Sequence, residues 1–234
     1  MDDGPSVAES VVSEGAMDHS SFRWFHSIAL RNGEVTKGDK PSDVLLTEAD
    51  LYFRGDRLVR GKSFLDIGAW DGFMSFEAER RGASRVVATD HFCWSGPGWG
   101  SRRGFDFAHA NLGSSVEAVE VDVPDLDPSV LGQFDVVLFA GVLYHLRHPF
   151  LGLEHASSLT RDLLIVETAT SMNHVLEPVL RYHLGAELNG DPTNFWTPNE
   201  RCLRDMLTEL GFKRIDTVIT SSRGAPRLVA HAWR

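Results

Sequence analysis

Acidic residues and glycines are interleaved in one short segment of the chain, Asp66-Ile67-Gly68-Ala69-Trp70-Asp71-Gly72. Asp90 follows Gly68 at the spacing of about 20 residues that separates a glycine-rich turn from the ribose-binding acid in nucleotide-binding α/β folds. Gly68 would let a ligand approach the backbone closely. The spacing therefore predicts a nucleoside site, and the alternative is a packing turn without a ligand.

The residues between the two glycines indicate which nucleoside would bind. A dinucleotide-binding loop has a glycine at its middle position so that the backbone can approach a pyrophosphate, whereas this chain has Trp70 there. The carboxylates of Asp66 and Asp71 would repel phosphate and attract the α-ammonium and sulfonium groups of S-adenosylmethionine. We therefore predict S-adenosylmethionine as the cofactor, with Asp90 at its ribose hydroxyls.

Other acids and loop residues complete the predicted cofactor site. Asp66 and Asp71 would order the loop and the amino-acid end of the cofactor, and the alternative is that either one caps the next helix. Asp122 would contact the adenine amine, unless it only forms the turn before Pro124. The predicted cofactor-binding residues are Asp66, Gly68, Ala69, Trp70, Asp71, Gly72, Asp90, His91, Asp122, Val123 and Ala140.

Methyl transfer demands few catalytic groups, because the sulfonium already activates the carbon that is attacked. A hydroxyl acceptor must still lose a proton, and His145 is the first candidate for a general base or a substrate orienter. The alternative is that His145 fixes the turn before Pro149. Tyr144 would bound the methyl-transfer channel or be a core tyrosine, and His26 would close the pocket or pack structurally.

A long segment before the last predicted helix, at about residues 171–196, is predicted to form the acceptor wall, because decorations at that edge of a sheet usually set specificity. His183 is one polar candidate within it.

Residues 94–99 form an irregular loop that would either cover the adenosine or move freely. His145 and His148 lack the carboxylate pattern of a dedicated metal site, so no metal is predicted. The predicted substrate-binding residues are Trp24, His26, Arg181, Tyr182 and Trp196.

Alternating strands and helices must position these residues. Short apolar runs predict strands, separated by helical segments at 72–81 and 149–160. Residues 136–139 and 163–166 are continuously apolar, as parallel strands buried on both faces are. The predicted strands are 63–68, 85–90, 116–121, 134–140 and 163–168.

The carboxyl-terminal third predicts a helix followed by a hairpin. Thr197-Pro198-Asn199-Glu200 has the pattern of a capping box with proline at the first helical position. Strands at 212–220 and 227–233 are joined by a turn too short for a crossover helix, so they must be antiparallel neighbours. The whole pattern resembles a Rossmann-like methyltransferase fold: α/β, with a mostly parallel seven-stranded sheet, an antiparallel last strand and helices on both faces.

Composition and charge restrict the class of protein. The chain has 234 residues, of which 42% are hydrophobic and 24% charged, and a formal net charge of −10, which argues against a broad nucleic-acid surface. We expect a disordered acidic tail at 1–20, a helical cap at 21–60 and a methyltransferase domain at 61–234. In the cap, apolar residues at helix-like spacing predict a first helix, and residues 45–60 predict a second one. No segment predicts a signal peptide or a membrane helix, so a cytoplasmic location is expected.

The run Phe134-Asp135-Val136-Val137-Leu138-Phe139-Ala140-Gly141-Val142-Leu143-Tyr144-His145 resembles the tRNA wobble-uridine carboxymethyl/methyltransferases and their small-molecule methyltransferase relatives. Phe64-Leu65-Asp66-Ile67-Gly68 and Phe195-Trp196-Thr197-Pro198 extend this resemblance, which covers about residues 24–212. It implies a class I S-adenosylmethionine-dependent methyltransferase. The tRNA enzymes use carboxy-S-adenosylmethionine, whose extra carboxylate requires cationic or hydroxyl partners. Tyr144 matches a position expected to supply the hydroxyl partner, but the sequence indicates no matching Lys or Arg.

We therefore predict O- or N-methylation of a small molecule, such as a natural-product intermediate or a sugar, with S-adenosylmethionine favoured over carboxy-S-adenosylmethionine. The first alternative is modification of the tRNA wobble uridine. The second is a protein that binds S-adenosylmethionine for other chemistry, because no nucleophile or base here is obligatory. Nucleic acid is a disfavoured partner, and the sequence indicates no oligomeric state.

Overall fold

The structure is a computed structural model that describes residues 19–234. The predicted acidic tail falls outside these residues, apart from its last two positions. The strands are β1 (Trp24–His26), β2 (Gly38–Lys40), β3 (Ser63–Ile67), β4 (Arg85–Asp90), β5 (Glu117–Glu120), β6 (Phe134–Ala140), β7 (Thr160–Ala169), β8 (Leu180–Tyr182), β9 (Trp196–Pro198), β10 (Arg214–Ser222) and β11 (Ala225–Trp233). The α-helices are α1 (Ser42–Phe53), α2 (Phe73–Arg80), α3 (Arg103–Leu112), α4 (Pro128–Leu131), α5 (Pro149–Ser158) and α6 (Glu200–Glu209). Short 3₁₀ helices lie at His19–Ser21, Val123–Asp125 and Leu143–His145.

Seven of the strands form one sheet, in the order β10-β11-β7-β6-β3-β4-β5. Only β11 runs against its neighbours, because it pairs antiparallel with both β10 and β7 while the other pairs are parallel. This topology confirms the predicted fold class. The strand order reverses direction between β3 and β6, so their carboxyl ends border the crevice in which ligands bind in open α/β sheets.

The central strands are buried on both faces, and helices cover each face. Successive residues of β6 alternate between two apolar cores, as the period of a strand requires. Val136 and Leu138 face the core built with α1, α2 and α3. Val137 and Phe139 face the core built with α5 and α6. Within the described chain, no helix is both long enough and apolar enough to cross a bilayer.

The helix predicted in the first part of the cap is wrong, because residues 24–26 form strand β1. This strand pairs in parallel with β2, with His26 opposite Lys40. The backbone N–H groups of Phe25 and His26 donate to a distant carboxylate, that of Asp71, rather than to a helical carbonyl. These tertiary hydrogen bonds satisfy the backbone without a helix, so the apolar spacing misled the prediction.

The second helix of the cap is shorter than predicted. The sequence predicted residues 45–60, whereas α1 covers Ser42–Phe53 and turns follow it. Arg54, with φ of 50°, takes the left-handed conformation that ends many helices.

The predicted capping box is displaced by two residues. Thr197 lies in β9, where it pairs with Arg181, and Asn199 is the residue that caps α6 by accepting a hydrogen bond from Cys202 N at 2.9 Å. Pairing with β8 holds the backbone of residues 196–198 in an extended form, so Thr197 cannot begin the helix. No pattern in the sequence predicted α3, α4 or the β8–β9 ribbon.

The predicted hairpin is confirmed with a tighter turn. Ser222 pairs with Ala225, which leaves only Arg223 and Gly224 between the strands. Both have positive φ, 51° and 81°, as a two-residue turn of this kind requires.

Candidate functional site

The loop after β3 adopts left-handed backbone conformations, which favour glycine. Gly68, Trp70 and Gly72 all have positive φ, of 82°, 51° and 87°. A Cβ on Gly68 would lie 2.5 Å from the side chain of Val142, in the segment that follows β6. The loop therefore touches the segment that carries His145, and a larger residue at Gly68 would separate the two.

Asp90 ties the end of β4 to this loop. Its side chain is only 6% exposed and accepts hydrogen bonds from Trp70 N at 3.0 Å and from Cys93 N at 2.9 Å. Burial raises the pKa of this carboxyl. Because each carboxylate oxygen can accept more than one hydrogen bond, Asp90 keeps acceptor capacity at the carboxyl edge of the sheet, and its contact with a ribose stays a prediction.

Asp66 and Asp71 are both buried and have different partners. Asp66 accepts a hydrogen bond from Ser75 Oγ at 2.7 Å, whereas Asp71 Oδ2 accepts from Phe25 N at 2.8 Å and from His26 N at 2.9 Å. Burial raises the pKa of Asp66 to about 7 and that of Asp71 to about 6, and the charge of Asp90 adds to both shifts. Asp66 faces the first turn of α2, where the hydroxyl and the backbone of Ser75 both lower its pKa against the effect of burial, which supports the helix-capping alternative for this acid; the N-cap residue itself is Gly72. Asp71 instead fixes β1 over the loop.

An aromatic cluster covers the outer side of the loop. The Trp70 ring stacks on Phe25 at 4.0 Å, and the edge of Trp99 meets it at 4.7 Å. Arg23 lies over Trp99 at 4.4 Å, and Trp94 Nε1 donates to Trp70 O at 2.7 Å. The loop at 94–99 therefore packs against Trp70, and whether it covers a bound adenosine stays a prediction.

The predicted adenine side of the site is more open. Asp122 is exposed and accepts a hydrogen bond from Val123 N at 2.8 Å, so it caps a 3₁₀ helix. This contact agrees with the alternative that Asp122 forms the turn before Pro124. His91 lies at the rim, with its Nδ1 3.6 Å from Glu120 Oε1. Ala140 ends β6. Contacts of these residues with adenine stay predictions.

His145 is oriented by the predicted acceptor wall and not by the turn before Pro149. Its Nδ1 lies 3.1 Å from the carbonyl oxygen of Thr193 and 3.0 Å from Thr193 Oγ1, which in turn donates to Asp191 Oδ1 at 2.7 Å. A carbonyl only accepts, so Nδ1 carries the proton and Nε2 keeps a free lone pair. Burial lowers the pKa of His145, which favours the neutral form of the ring.

Tyr144 meets a buried ion pair that the sequence analysis missed. Its hydroxyl lies 3.3 Å from Arg227 Nη2, and the guanidinium lies over its ring at 4.7 Å. Arg227 forms a bidentate pair with Glu167, whose Oε2 also accepts a hydrogen bond from Gly141 N at 2.9 Å. Two residues gave a signal in the sequence: Glu167 is a single acid in the apolar run of β7, and Arg227 is a single arginine near the start of β11.

The two predicted residues of the cap have different environments. Trp24 is 2% exposed and packs in the core, with its Nε1 donating to His19 O at 2.9 Å. His26 has its Nδ1 4.0 Å from Asp71 Oδ2, and burial, with the nearby charge of Lys40, lowers its pKa to about 3. The structure brings His26, but not an open face of Trp24, to the glycine-rich loop.

The predicted acceptor-wall residues separate onto two faces of the β8–β9 ribbon. Tyr182 and Trp196 are paired, with ring centroids 5.0 Å apart, and Trp196 Nε1 donates to Arg147 O at 3.3 Å. Arg181 lies on the opposite face, where it pairs with Glu187. Only Tyr182 and Trp196 of this set therefore share a surface.

Sequence comparison finds tRNA-modifying relatives. The chain is 28% identical over 192 residues to the tRNA U34 carboxymethyltransferase of Actinobacillus pleuropneumoniae, covering 74% of this chain and 53% of that protein. It is 29% identical over 183 residues to the enzyme of that name from Mannheimia succiniciproducens, covering 71% and 49%. The chain thus spans about half the length of the curated relatives it matches. It matches no protein-family model.

Solved structures share the fold. The N-terminal domain of EvdMO1, crystallised with S-adenosylhomocysteine and D-fucose, has a TM-score of 0.67 at 20% identity, covering 90% of this chain and 91% of that chain. Magnesium protoporphyrin IX methyltransferase from Synechocystis, with bound S-adenosylhomocysteine, has 0.59 at 19% and covers 82% of each. The 1,6-didemethyltoxoflavin-N1-methyltransferase of Burkholderia thailandensis has 0.60 at 21%, covering 82% and 78%.

These comparisons confirm the predicted resemblance to class I S-adenosylmethionine-dependent methyltransferases. The sequence relatives are named tRNA U34 carboxymethyltransferases, and the structural neighbours share the fold and were crystallised with S-adenosylmethionine or S-adenosylhomocysteine. The first finding agrees with the predicted resemblance, and the second confirms the predicted fold.

Proposed function

We propose that this chain is an S-adenosylmethionine-dependent methyltransferase that methylates an oxygen or nitrogen of a small molecule. The observation that carries the proposal is the position of His145, whose Nδ1 is held by Thr193 so that Nε2 is the nitrogen left to accept a proton. It follows β6 at the carboxyl edge of the sheet, three residues after the Val142 side chain that contacts Gly68 of the loop. A base and a nucleoside-binding loop thus adjoin each other.

The acids around the loop fit a cationic cofactor. Asp66, Asp71 and Asp90 are buried near one another, and the charge of Asp90 raises the pKa of each of the other two. A ligand with ammonium and sulfonium groups would relieve this repulsion, whereas a pyrophosphate would increase it. We propose that Asp90 holds the ribose and that Asp66 and Asp71 contribute favourable charge at the amino-acid end.

The residues of the chain supply positioning and proton removal. When bound, S-adenosylmethionine provides a methyl group activated by its sulfonium. His145 Nε2 would accept the proton of an acceptor hydroxyl, and the Thr193 carbonyl would then stabilise the imidazolium through Nδ1–H. Asp191 fixes Thr193 by accepting from both its N–H, at 2.8 Å, and its hydroxyl. Trp196 and Tyr182 are proposed to contact the acceptor from the β8–β9 ribbon.

Two findings support a small acceptor. The chain carries a net charge of −10, which disfavours a large phosphate-binding surface. Among its structural neighbours, the EvdMO1 domain was crystallised with D-fucose and the Burkholderia enzyme with 1,6-didemethyltoxoflavin. By analogy in fold, we propose a natural-product intermediate or a sugar as the acceptor class.

A second candidate function is carboxymethylation of the tRNA wobble uridine, and one observation favours it. Arg227 and Tyr144 together supply the cation and hydroxyl that the carboxylate of carboxy-S-adenosylmethionine would require. Against it, the charge of Arg227 is balanced by Glu167. In the cap near the loop, Arg23 pairs with Asp39 and Lys40 with Glu48, and burial lowers the pKa of His26 to about 3. We therefore favour S-adenosylmethionine.

Labelling experiments separate the candidates. The protein is incubated with methyl-labelled S-adenosylmethionine and either a metabolite extract or total tRNA, and parallel reactions use carboxy-S-adenosylmethionine. Label that enters a small molecule supports the proposal, whereas label that enters only tRNA contradicts it. Release of S-adenosylhomocysteine with any acceptor would exclude a protein that binds the cofactor without transferring the methyl group.

A further inference from the structure

A chain of hydrogen bonds runs from the acceptor wall to the proposed base. Thr193 Oγ1 lies 3.0 Å from His145 Nδ1 and 2.7 Å from Asp191 Oδ1. Asp191 Oδ1 also accepts from Thr193 N at 2.8 Å, which fixes the threonine relative to the carboxylate. All three residues are partly buried. We call these three residues the relay, in which the carboxylate lies two hydrogen bonds from the imidazole.

The direction of each hydrogen bond in the relay follows from the groups that form it. A carboxylate only accepts hydrogen bonds, and the Thr193 hydroxyl has a single proton, so this proton is donated to Asp191. Thr193 Oγ1 can then only accept from His145 Nδ1–H. The Thr193 carbonyl oxygen, 3.1 Å from the same nitrogen, also only accepts. Both acceptors therefore place the proton of the neutral ring on Nδ1 and leave the lone pair on Nε2.

The two acceptors act differently on a ring that becomes positively charged. The carbonyl is a dipole, whereas the hydroxyl connects the ring to the negative charge of Asp191, and a nearby carboxylate favours the protonated form of a histidine. Burial and the charge of Arg227 lower the pKa of His145, while the hydrogen bond to Thr193 and the charge of Asp191 raise it. Asp191 thus restores part of the basicity that burial removes.

The loop that carries Asp191 is held in place by hydrogen bonds on both sides. Asn194 is 3% exposed, and its Nδ2 donates to Leu188 O at 2.9 Å. Asn194 N donates to Asp191 O at 3.2 Å, and Phe195 N donates to Tyr144 O at 2.8 Å. These contacts join the acceptor wall to the segment that carries His145, so they fix the position of Asp191 relative to the base.

We propose that Asp191 is a positioning residue that acts on the proposed base through the Thr193 hydroxyl. It holds His145 in the tautomer that leaves Nε2 available, and its charge stabilises the imidazolium that forms when an acceptor hydroxyl loses its proton. Of the relay, only His145 contacts the reacting groups. This inference rests on the proposed role of His145, and it adds that the acceptor wall sets the strength of the base.

Methyl transfer moves a positive charge onto His145. The acceptor oxygen forms a bond to the methyl carbon as the bond from that carbon to sulfur breaks. The electron pair of the broken bond stays on sulfur, which loses its positive charge, and the hydroxyl proton passes to His145 Nε2. The charge that Asp191 stabilises therefore arises in the step that the base assists.

NMR of the histidine rings tests the relay without an acceptor. The full chain is labelled with nitrogen-15, and long-range proton–nitrogen spectra recorded against pH report the tautomer and the pKa of each of its ten histidines. The signal that disappears in His145→Asn identifies His145, for which we expect the Nδ1–H tautomer. Asp191→Asn should lower the pKa of His145 by about 1, the lower end of the roughly 1–3 that an opposite charge produces, because Asp191 is partly exposed.

Variants of Thr193 separate the relay from the fold of the loop. Thr193→Val keeps the size of the side chain and the main-chain bond to Asp191 but removes the hydroxyl, so it should lower the pKa of His145 as Asp191→Asn does. Thr193→Ser keeps the hydroxyl and should titrate as the unmodified chain does. Asp127→Asn is the matched control, because Asp127 Oδ1 accepts from Ser129 N at 2.7 Å in the same kind of turn, at the start of α4.

An Nε2–H tautomer in the unmodified chain would overturn the proposal. So would a pKa of His145 that is the same in Asp191→Asn, Thr193→Val and Asp127→Asn. If the pKa changes as expected but no label passes from S-adenosylmethionine to any acceptor, the relay stands and the proposed function fails. If label passes while the pKa is unchanged, the function stands and the relay is wrong.

Kinetics provide a second readout once an acceptor is labelled. Asp191→Asn should move the midpoint of the rate against pH to lower pH, because His145 then loses its proton at lower pH. At pH 7 the rate should fall about two- to tenfold, since a weaker base assists less, compared with the roughly 10²- to 10⁴-fold expected from loss of the base itself. An unchanged pH profile would contradict the relay.

Discussion

Replacing Asp71 by alanine removes the acceptor of two main-chain hydrogen bonds, from Phe25 N at 2.8 Å and from His26 N at 2.9 Å. Each buried donor that loses its partner costs about 1–3 kcal/mol. Phe25 and His26 are only partly buried, so we take the lower half of that range and expect a loss of about 2–4 kcal/mol in unfolding free energy. A loss of about 3 kcal/mol lowers Tm by roughly 6–12 °C for a chain of this size.

Asp71→Asn separates the hydrogen bonds from the charge. Its amide oxygen can take the position of Oδ2 and accept from both N–H groups, so we expect a loss of only about 1 kcal/mol. Burial raises the pKa of Asp71 to about 6, which shows that its ionised form is not strongly stabilised by its surroundings. The charge therefore contributes less than the acceptor geometry.

Urea unfolding followed by circular dichroism measures these changes on the full chain. Asp205→Ala is the control, because Asp205 forms an exposed pair with Arg201 one helical turn away, and such pairs contribute less than about 1 kcal/mol. If Asp71→Ala is no less stable than this control, or if Asp71→Asn is as unstable as Asp71→Ala, the inference that Asp71 fixes β1 to the loop is refuted.

Three binding and kinetic predictions and one further stability prediction follow from the same contacts. Asp90→Asn should weaken S-adenosylhomocysteine binding roughly tenfold or more in calorimetry, since hydrogen bonds to charged groups contribute about 1.5–3 kcal/mol; unchanged affinity would contradict the ribose assignment. The affinity for S-adenosylmethionine should rise with pH through about 6 to 7, because the pKa values of Asp71 and Asp66 are about 6 and about 7 and only the ionised acids attract the cationic cofactor. A flat titration profile would exclude that role. His145→Asn should lower kcat about 10²- to 10⁴-fold while nucleoside affinity stays within about twofold. Arg227→Met should destabilise the chain by about 3–5 kcal/mol in urea unfolding, because it leaves a buried carboxylate unpaired, and a loss below about 1 kcal/mol would disagree.

The sequence was sufficient where the determining signal is local. The continuous apolar runs of β6 and β7 predicted buried parallel strands, and the short hairpin connection predicted that β11 is antiparallel. These features depend on near neighbours in the chain, which a pattern of residues records.

Local patterns misled the prediction where distant groups supply the hydrogen bonds. Phe22, Phe25 and Ile28 have helical spacing, yet the segment is a strand because Asp71 and β2 satisfy its backbone. Thr197 has capping-box spacing, yet β8 holds it extended. In both cases a partner far along the chain decides the conformation, and the local preference is weaker than the tertiary hydrogen bonds.

The sequence by itself determined the sheet and the glycine-rich loop, and it predicted the class of cofactor that the acids around that loop favour. Only the tertiary structure decided which side chains meet: Tyr144 with Arg227 across 83 positions, and His145 with Thr193 across 48. Such pairs depend on strand order and register, because moving a strand by one residue turns its side chains to the opposite face. No spacing along the chain could therefore have indicated them.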